Sequence, residues 1–250
     1  MSKSSSQRQQ TQRNDVFSLL PYAYHEAGHA VVGHVIGRLI ALVSIKHATS
    51  YRGCCRFDAY AESTHQHDQW QKGCQNPELL AILYAGTVAV SLLCEQRGWD
   101  YEVLRSSGQQ DEAEIEQLSR EMFEDDAHRT LALDACRKQA SDLLTKHWEA
   151  VKALAGELLA LQWLTGAEAH TIIGEALGEE QGDWRWDVVQ ADPINQRRTA
   201  FAAERKQLVA DFLKGVITER ELDEEMERIQ QERFTILQNT PAWHFFGSLF

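Results

Sequence analysis

Apolar residues recur at helical spacing along most of this chain and at strand spacing only briefly. Pro21 opens a run to Ile36 that predicts a helix ending near Gly37, with proline in a first turn where its missing N–H is no loss. Leu42 to His47, with β-branched Val43 and Ile45, and then Cys54 to Phe57 predict a small two-stranded element. Residues 58–76 keep no period and read as a long loop. Asn76-Pro77-Glu78 starts a second helix that stops before Gly98 and is apolar nearly all round, as a central core helix would be. An amphipathic helix covers about Asp111 to Phe123, after a turn at Ser106-Ser107-Gly108. The pattern from Asp125 to Leu164 is helical almost throughout and too long for one ordinary helix, so two are expected. Thr165-Gly166-Ala167-Glu168 is a capping box opening a helix to about Leu177.

These elements predict a mainly α fold: a helical domain over residues 15–180 with a small β-hairpin element, and a helical C-terminal extension. Residues 1–14 offer almost nothing to bury and are expected to be disordered. Residues 181–197 read as a linker, and 198–250 as the extension, with a helix break near Gly215 to Thr218. The apolar tail from Trp243 to Phe250 is expected to dock on its own domain or on a neighbouring subunit, which makes a homo-oligomer possible.

Composition narrows the partners. A formal net charge of -12 argues against nucleic acid, whose phosphates need a basic face. Hydrophobic residues at 43% and charged residues at 25% are ordinary for a soluble globular protein. The five cysteines form no CxxC pair, which points to a reducing compartment. The polar N-terminus lacks the apolar core of a secretory signal. Leu79 to Cys94 is interrupted by Gly86, Thr87 and Ser91 and falls short of a membrane span. A cytoplasmic protein without a membrane partner is expected.

The chemistry concentrates in His25-Glu26-Ala27-Gly28-His29. On a helix, residues four apart project from one face, so both imidazoles can reach one zinc ion. Glu26 is turned about 100° away and suits a general base acting on water beside the metal. The spacing therefore predicts a zinc hydrolase. Gly28 is costly inside a helix unless another segment must approach closely.

The run from Tyr24 to Val32 resembles the zinc helix of the FtsH-type ATP-dependent metalloproteases. The resemblance continues through Val43-Ser44-Ile45 and Gly53, through Leu80 to Leu93, and through Lys152 to Thr165, covering roughly residues 20–177. Ser107-Gly108-Gln109-Gln110-Asp111 is similar to that family's Ser-Gly-x-x-Asn-Asp segment, one residue shorter, and this carries the third zinc ligand onto Asp111. The residues themselves accept Asp111 without choosing it: a carboxylate at a helix start also serves as a cap, and Glu112, Glu114 and Asp100 are alternatives. Two departures stand out. Val90 follows the Gly86-to-Ala89 stretch where the family usually has an acid, and no GxxxxGK[ST] motif is present, so the resemblance is to the peptidase domain alone.

Other candidates are weaker. His34 points away from the metal and is expected to be a packing or surface residue. His65, His67 and Cys74 lack a fourth ligand and read as a polar lid. His47 is supported by position alone, and Cys54 and Cys55 read as small packing residues. Either strand could take an extended peptide by strand addition. The expected function is zinc-dependent hydrolysis of peptides or unstructured protein segments, with a separately encoded ATPase as a possible partner. The rivals are an inactive peptidase-like binding protein and an oligomeric scaffold.

Overall fold

The computed structural model describes residues 5–46, 53–57, 77–100, 109–179 and 192–238. Among them the chain is mainly helical, with eight helices and one three-stranded antiparallel sheet. It divides into two units, residues 1–180 and 181–250.

In the first unit, α1 (Ser5–Ile36) is followed by β1 (Ile40–Ser44) and β2 (Cys54–Phe57). Then come α2 (Pro77–Arg97), α3 (Gln109–Met122), α4 (Asp126–Lys146), α5 (Trp148–Leu161), β3 (Trp163–Thr165) and α6 (Gly166–Leu177). Helix α1 begins well before Pro21, through a polar stretch expected to have no structure. No glycine or proline interrupts residues 5–20, and Gln and Arg are good helix formers.

Helix α1 packs on α2 through small residues. Ala23, Ala27 and Ala30 are fully buried on α1, as are Ala85 and Ala89 on α2. A Cβ at Gly28 would lie 2.5 Å from the Ala85 carbonyl oxygen and 2.8 Å from the Ala89 Cβ. The expectation that Gly28 permits a close approach is met, and α2 is the segment that approaches. Helix α2 extends beyond Leu79–Cys94 at both ends and so, against the expectation that this stretch falls short of a span, is long and apolar enough to cross a membrane by length and composition. Its apolarity has a use within this unit, because it borders two clusters. Ile82, Ala85, Ala89 and Leu93 join the main core, while Leu80, Ala81 and Leu83 meet Ile115 of α3 and Cys136 of α4. Burial of such side chains contributes about 1.5–3 kcal/mol each for the larger ones.

The sheet has the order β2-β1-β3, one strand more than the sequence predicts. Val43 pairs with Cys55 on one side and Leu164 on the other. The third strand takes the end of the stretch, Asp125 to Leu164, whose pattern reads as helical almost throughout. Gln162 ends α5 in the left-handed region at φ 63° and turns the chain back onto β1. Three residues are too few to display a strand period. The capping box at Thr165 and Glu168 is present in full, with reciprocal hydrogen bonds of 2.9 and 3.2 Å. The expected pair of helices after Asp125 is also found, parted at His147.

The second unit is a pair of helices, α7 (Pro193–Leu213) and α8 (Glu219–Gln238), joined through Gly215 at φ +71°. Asp192 caps α7 by accepting from the Asn195 N–H at 2.7 Å, so the last residues of the expected linker are already helical. Arg228 pairs with Glu204 across the helices and with Glu225 on its own. The expectations for His47, His65, His67, Cys74, the loop 58–76 and the tail 243–250 lie outside the described residues.

Candidate metal centre

Helix α1 carries His25 and His29 one turn apart, both facing α2, and both are buried. The first turn of α3 brings Asp111 from the other side. The three side chains meet at one point. The Nε2 atoms of His25 and His29 lie 3.0 Å apart, and Asp111 Oδ2 lies 2.8 Å from the first and 3.2 Å from the second. Among the described residues this is the one group of three or more His, Cys, Asp or Glu side chains whose donor atoms converge.

The orientation of His29 is decided by a backbone group. Its Nδ1–H donates to the Ile82 carbonyl oxygen at 2.7 Å, which leaves Nε2 with its lone pair toward the meeting point. Two lone-pair nitrogens and a carboxylate oxygen within about 3 Å repel one another unless a cation or a proton lies between them. Donors held at about 2.0–2.1 Å around a tetrahedral zinc would stand roughly 3.3 Å apart, close to the separations here. Asp111 Oδ2 is enclosed, with no hydrogen-bond partner beyond the two imidazoles among the described residues, and His25 Nδ1 has no partner among them. The three donors therefore fit a metal ion. Gly86 makes room for the rings: a Cβ there would lie 2.5 Å from His25 Cε1 and from His29 Nε2.

Electrostatics agree with a cation at this point. Burial pushes the His25 pKa down, and the hydrogen bond to Asp111 does not restore it. His29 suffers the same burial, but Asp111 and Glu26 outweigh it and raise its pKa to about 9. Burial opposes ionisation of Asp111 too, yet the two imidazoles hold its pKa well below the usual carboxylate range.

Glu26 lines the same cavity, which has a volume of about 590 Å³. Burial raises its pKa to about 8, against the pull of His29. Gly53 at the start of β2 lies against its carboxylate, where a Cβ would collide with Oε1. The lining of the cavity also includes Tyr22, Cys54, Phe57 and Leu83.

All four residues expected at the site are thus brought to one cavity: His25, His29 and Asp111 as donors and Glu26 beside them. Of the alternatives to Asp111, Glu114 lines the cavity without joining the donor group, while Glu112 and Asp100 are exposed. Sequence reasoning missed Ile82 and Gly86. A backbone acceptor leaves no trace in residue type, although a glycine inside an apolar helix is a signal of close approach. Val90 is buried, and the orienting partner of His29 is the Ile82 carbonyl instead of a carboxylate. His34 faces away from the metal, as expected, but is deeply buried and hydrogen-bonded. No protein-family model matches the chain, and no curated protein matches it in sequence.

Proposed function

We propose that this protein is a zinc-dependent metallopeptidase that hydrolyses peptide bonds in extended peptides or unstructured protein segments. The observation that carries the reading is the convergence of His25, His29 and Asp111 beside Glu26 in one cavity. Neutral imidazoles and a carboxylate, with room left at the site, are a donor set suited to zinc. A bound zinc would polarise the scissile carbonyl and acidify the attacking water. Glu26 then takes a proton from that water and delivers it to the departing amine nitrogen, so that water is added across the C–N bond. Its buried carboxylate favours proton uptake, and a nearby dication favours its ionised form before reaction. These opposed influences suit a group that must both accept and release a proton.

A cavity of about 590 Å³ has room for a few side chains of an extended segment. Strand β2 lies at the edge of the sheet, with Gly53, Cys54 and Cys55 in the cavity wall, and a substrate strand could add beside it. The likeness of the His25–His29 helix and of Asp111 to the FtsH-type proteases supports the same reaction. A separate ATPase would then supply unfolded substrate, and a cytoplasmic setting suits the cysteine usage.

The second reading is a peptidase-like binding protein without turnover, favoured by His25, whose Nδ1 has no orienting partner among the described residues. Casein hydrolysis by wild type and by Glu26→Gln at matched zinc content separates the two. Activity lost in the variant supports the peptidase, and no activity in the zinc-loaded wild type supports the binding protein.

A further inference from the structure

On the far side of α1 from the metal lies a second pair of buried histidines. His34 and His170 are each about 2% exposed or less, and their Nδ1 atoms are 2.7 Å apart. The Ile40 amide meets His170 Nε2 at 2.9 Å, and His34 Nε2 meets Glu179 Oε2 at 2.9 Å. The proton positions follow from the ends. A backbone N–H only donates, so His170 Nε2 accepts and its proton sits on Nδ1. That N–H donates to His34 Nδ1, which places the His34 proton on Nε2, toward the Glu179 carboxylate. The chain runs in one direction, from Ile40 through His170 and His34 to Glu179, with both rings neutral.

Either ring can take up a proton. On His170 it enters Nε2, the atom that accepts from Ile40, and turns that acceptor into a donor facing the Ile40 N–H. On His34 it enters Nδ1 and sets two N–H groups against each other, a conflict relieved when His170 moves its own proton to Nε2, again against Ile40. By both routes the bond lost is the one at Ile40. We propose that the His170–His34–Glu179 chain is a proton-operated latch that holds the start of β1 when neutral and releases the Ile40 amide on acidification.

The surroundings define what else bears on it. Strand β1 brings no ionisable side chain within residues 40–45. Helix α6 brings Glu168, engaged in its capping box, and exposed Glu175. Between α4 and α5, His147 lies within electrostatic reach of Glu179 and beside Lys146. On α1 the next ionisable groups are the metal-site residues, beginning five positions away at His29, and the turn from α1 to β1 brings Arg38, two positions before Ile40. Ile40 pairs with Phe57 of β2, at an irregular step in the register, and Phe57 forms part of the metal cavity wall. Release at Ile40 thus loosens a wall of that cavity without touching the metal donors.

Amide hydrogen exchange on the full chain, with zinc in saturating excess, tests the latch. After correction for intrinsic exchange, protection at Ile40 is expected to fall at least tenfold between pH 7.5 and pH 5.5, while Leu154 in α5 keeps its protection. In His170→Asn the Ile40 protection should no longer depend on pH. Equal protection of Ile40 at both pH values, a parallel loss at Leu154, or an unchanged pH response in His170→Asn would overturn the proposal. If that variant fails to fold, the ring ¹⁵N shifts of wild-type His170 decide. Nε2 must pass from unprotonated to protonated over the same range, and a constant shift overturns the latch.

Discussion

His29 Nδ1 donates to the carbonyl oxygen of Ile82 at 2.7 Å, and this bond fixes which nitrogen of His29 faces Asp111. Ile82 lies on α2, the helix that Gly28 admits against α1. The same helix packing that builds the core therefore sets the tautomer of a metal donor. A metal bound by His29 would thus have its affinity tied to the packing of α2.

Asp111→Ala removes the donor supplied by α3. Metal affinity is expected to fall at least 100-fold with helical content unchanged, since Asp111 lines the cavity and belongs to neither apolar core cluster. Metal analysis after dialysis, alongside circular dichroism, checks this. Full metal occupancy in the variant would show that Asp111 is not a ligand.

Gly86→Ala places a methyl group against both imidazoles, 2.5 Å from His29 Nε2. Displaced rings should cost roughly 10–100-fold in metal affinity, the range seen when groups that orient ligands are disturbed. Gly156 on α5 is the control: it is exposed and nothing lies within 4 Å of an added Cβ. Gly156→Ala should raise stability by about 0.5–1 kcal/mol in urea melts and leave metal binding alone.

The pH dependence of the metal-free protein carries a sign that Glu26 determines. Burial raises its pKa from 4.5 to about 8, so the folded state holds its proton more tightly than the unfolded state. Its contribution is fully present below pH 4.5 and is lost as pH rises through 8. His29, raised from 6.5 to about 9, acts in the same direction at higher pH. Asp111, lowered, acts oppositely: its contribution is present above pH 3.8 and lost as pH falls further. Glu26→Gln keeps the shape of the neutral acid and cannot ionise. Between pH 5 and 9 the metal-free wild type should therefore lose more stability than the variant, by on the order of 2–4 kcal/mol. Denaturant midpoints across that range measure it; parallel curves would contradict it.

Zinc competes with protons for the same donors, so its stabilising effect should grow with pH. The melting temperature gained on adding zinc is expected to be small at pH 5.5 and larger at pH 8. Thermal scans at fixed free zinc check this. A constant gain would argue against binding through His29 and Asp111.

How much of this was legible in the sequence depended on how far apart the partners lie. His25 and His29 sit one turn apart on one helix, so their shared face follows from spacing alone. Asp111 comes from another helix, and no periodicity links it to α1; a resemblance was needed to select it over Glu112 and Glu114. The Ile82 carbonyl could not be read at all, because every residue has one. His34 was expected to be a packing or surface residue, and its partner His170 lies 136 positions away. Strand β3 was hidden because its three residues follow a helix without a Gly or Pro break, the reversal falling to Gln162 in a conformation rare for that residue type.

The most direct test of the account is peptide hydrolysis by wild type and Glu26→Gln, each carrying one measured equivalent of zinc. Wild type is expected to cleave an unfolded casein or an extended fluorogenic peptide, with the rate lowered at least 100-fold in the variant at equal zinc content. Equal rates in the two proteins would contradict the role given to Glu26, and failure of wild type to retain zinc would contradict the metal centre itself.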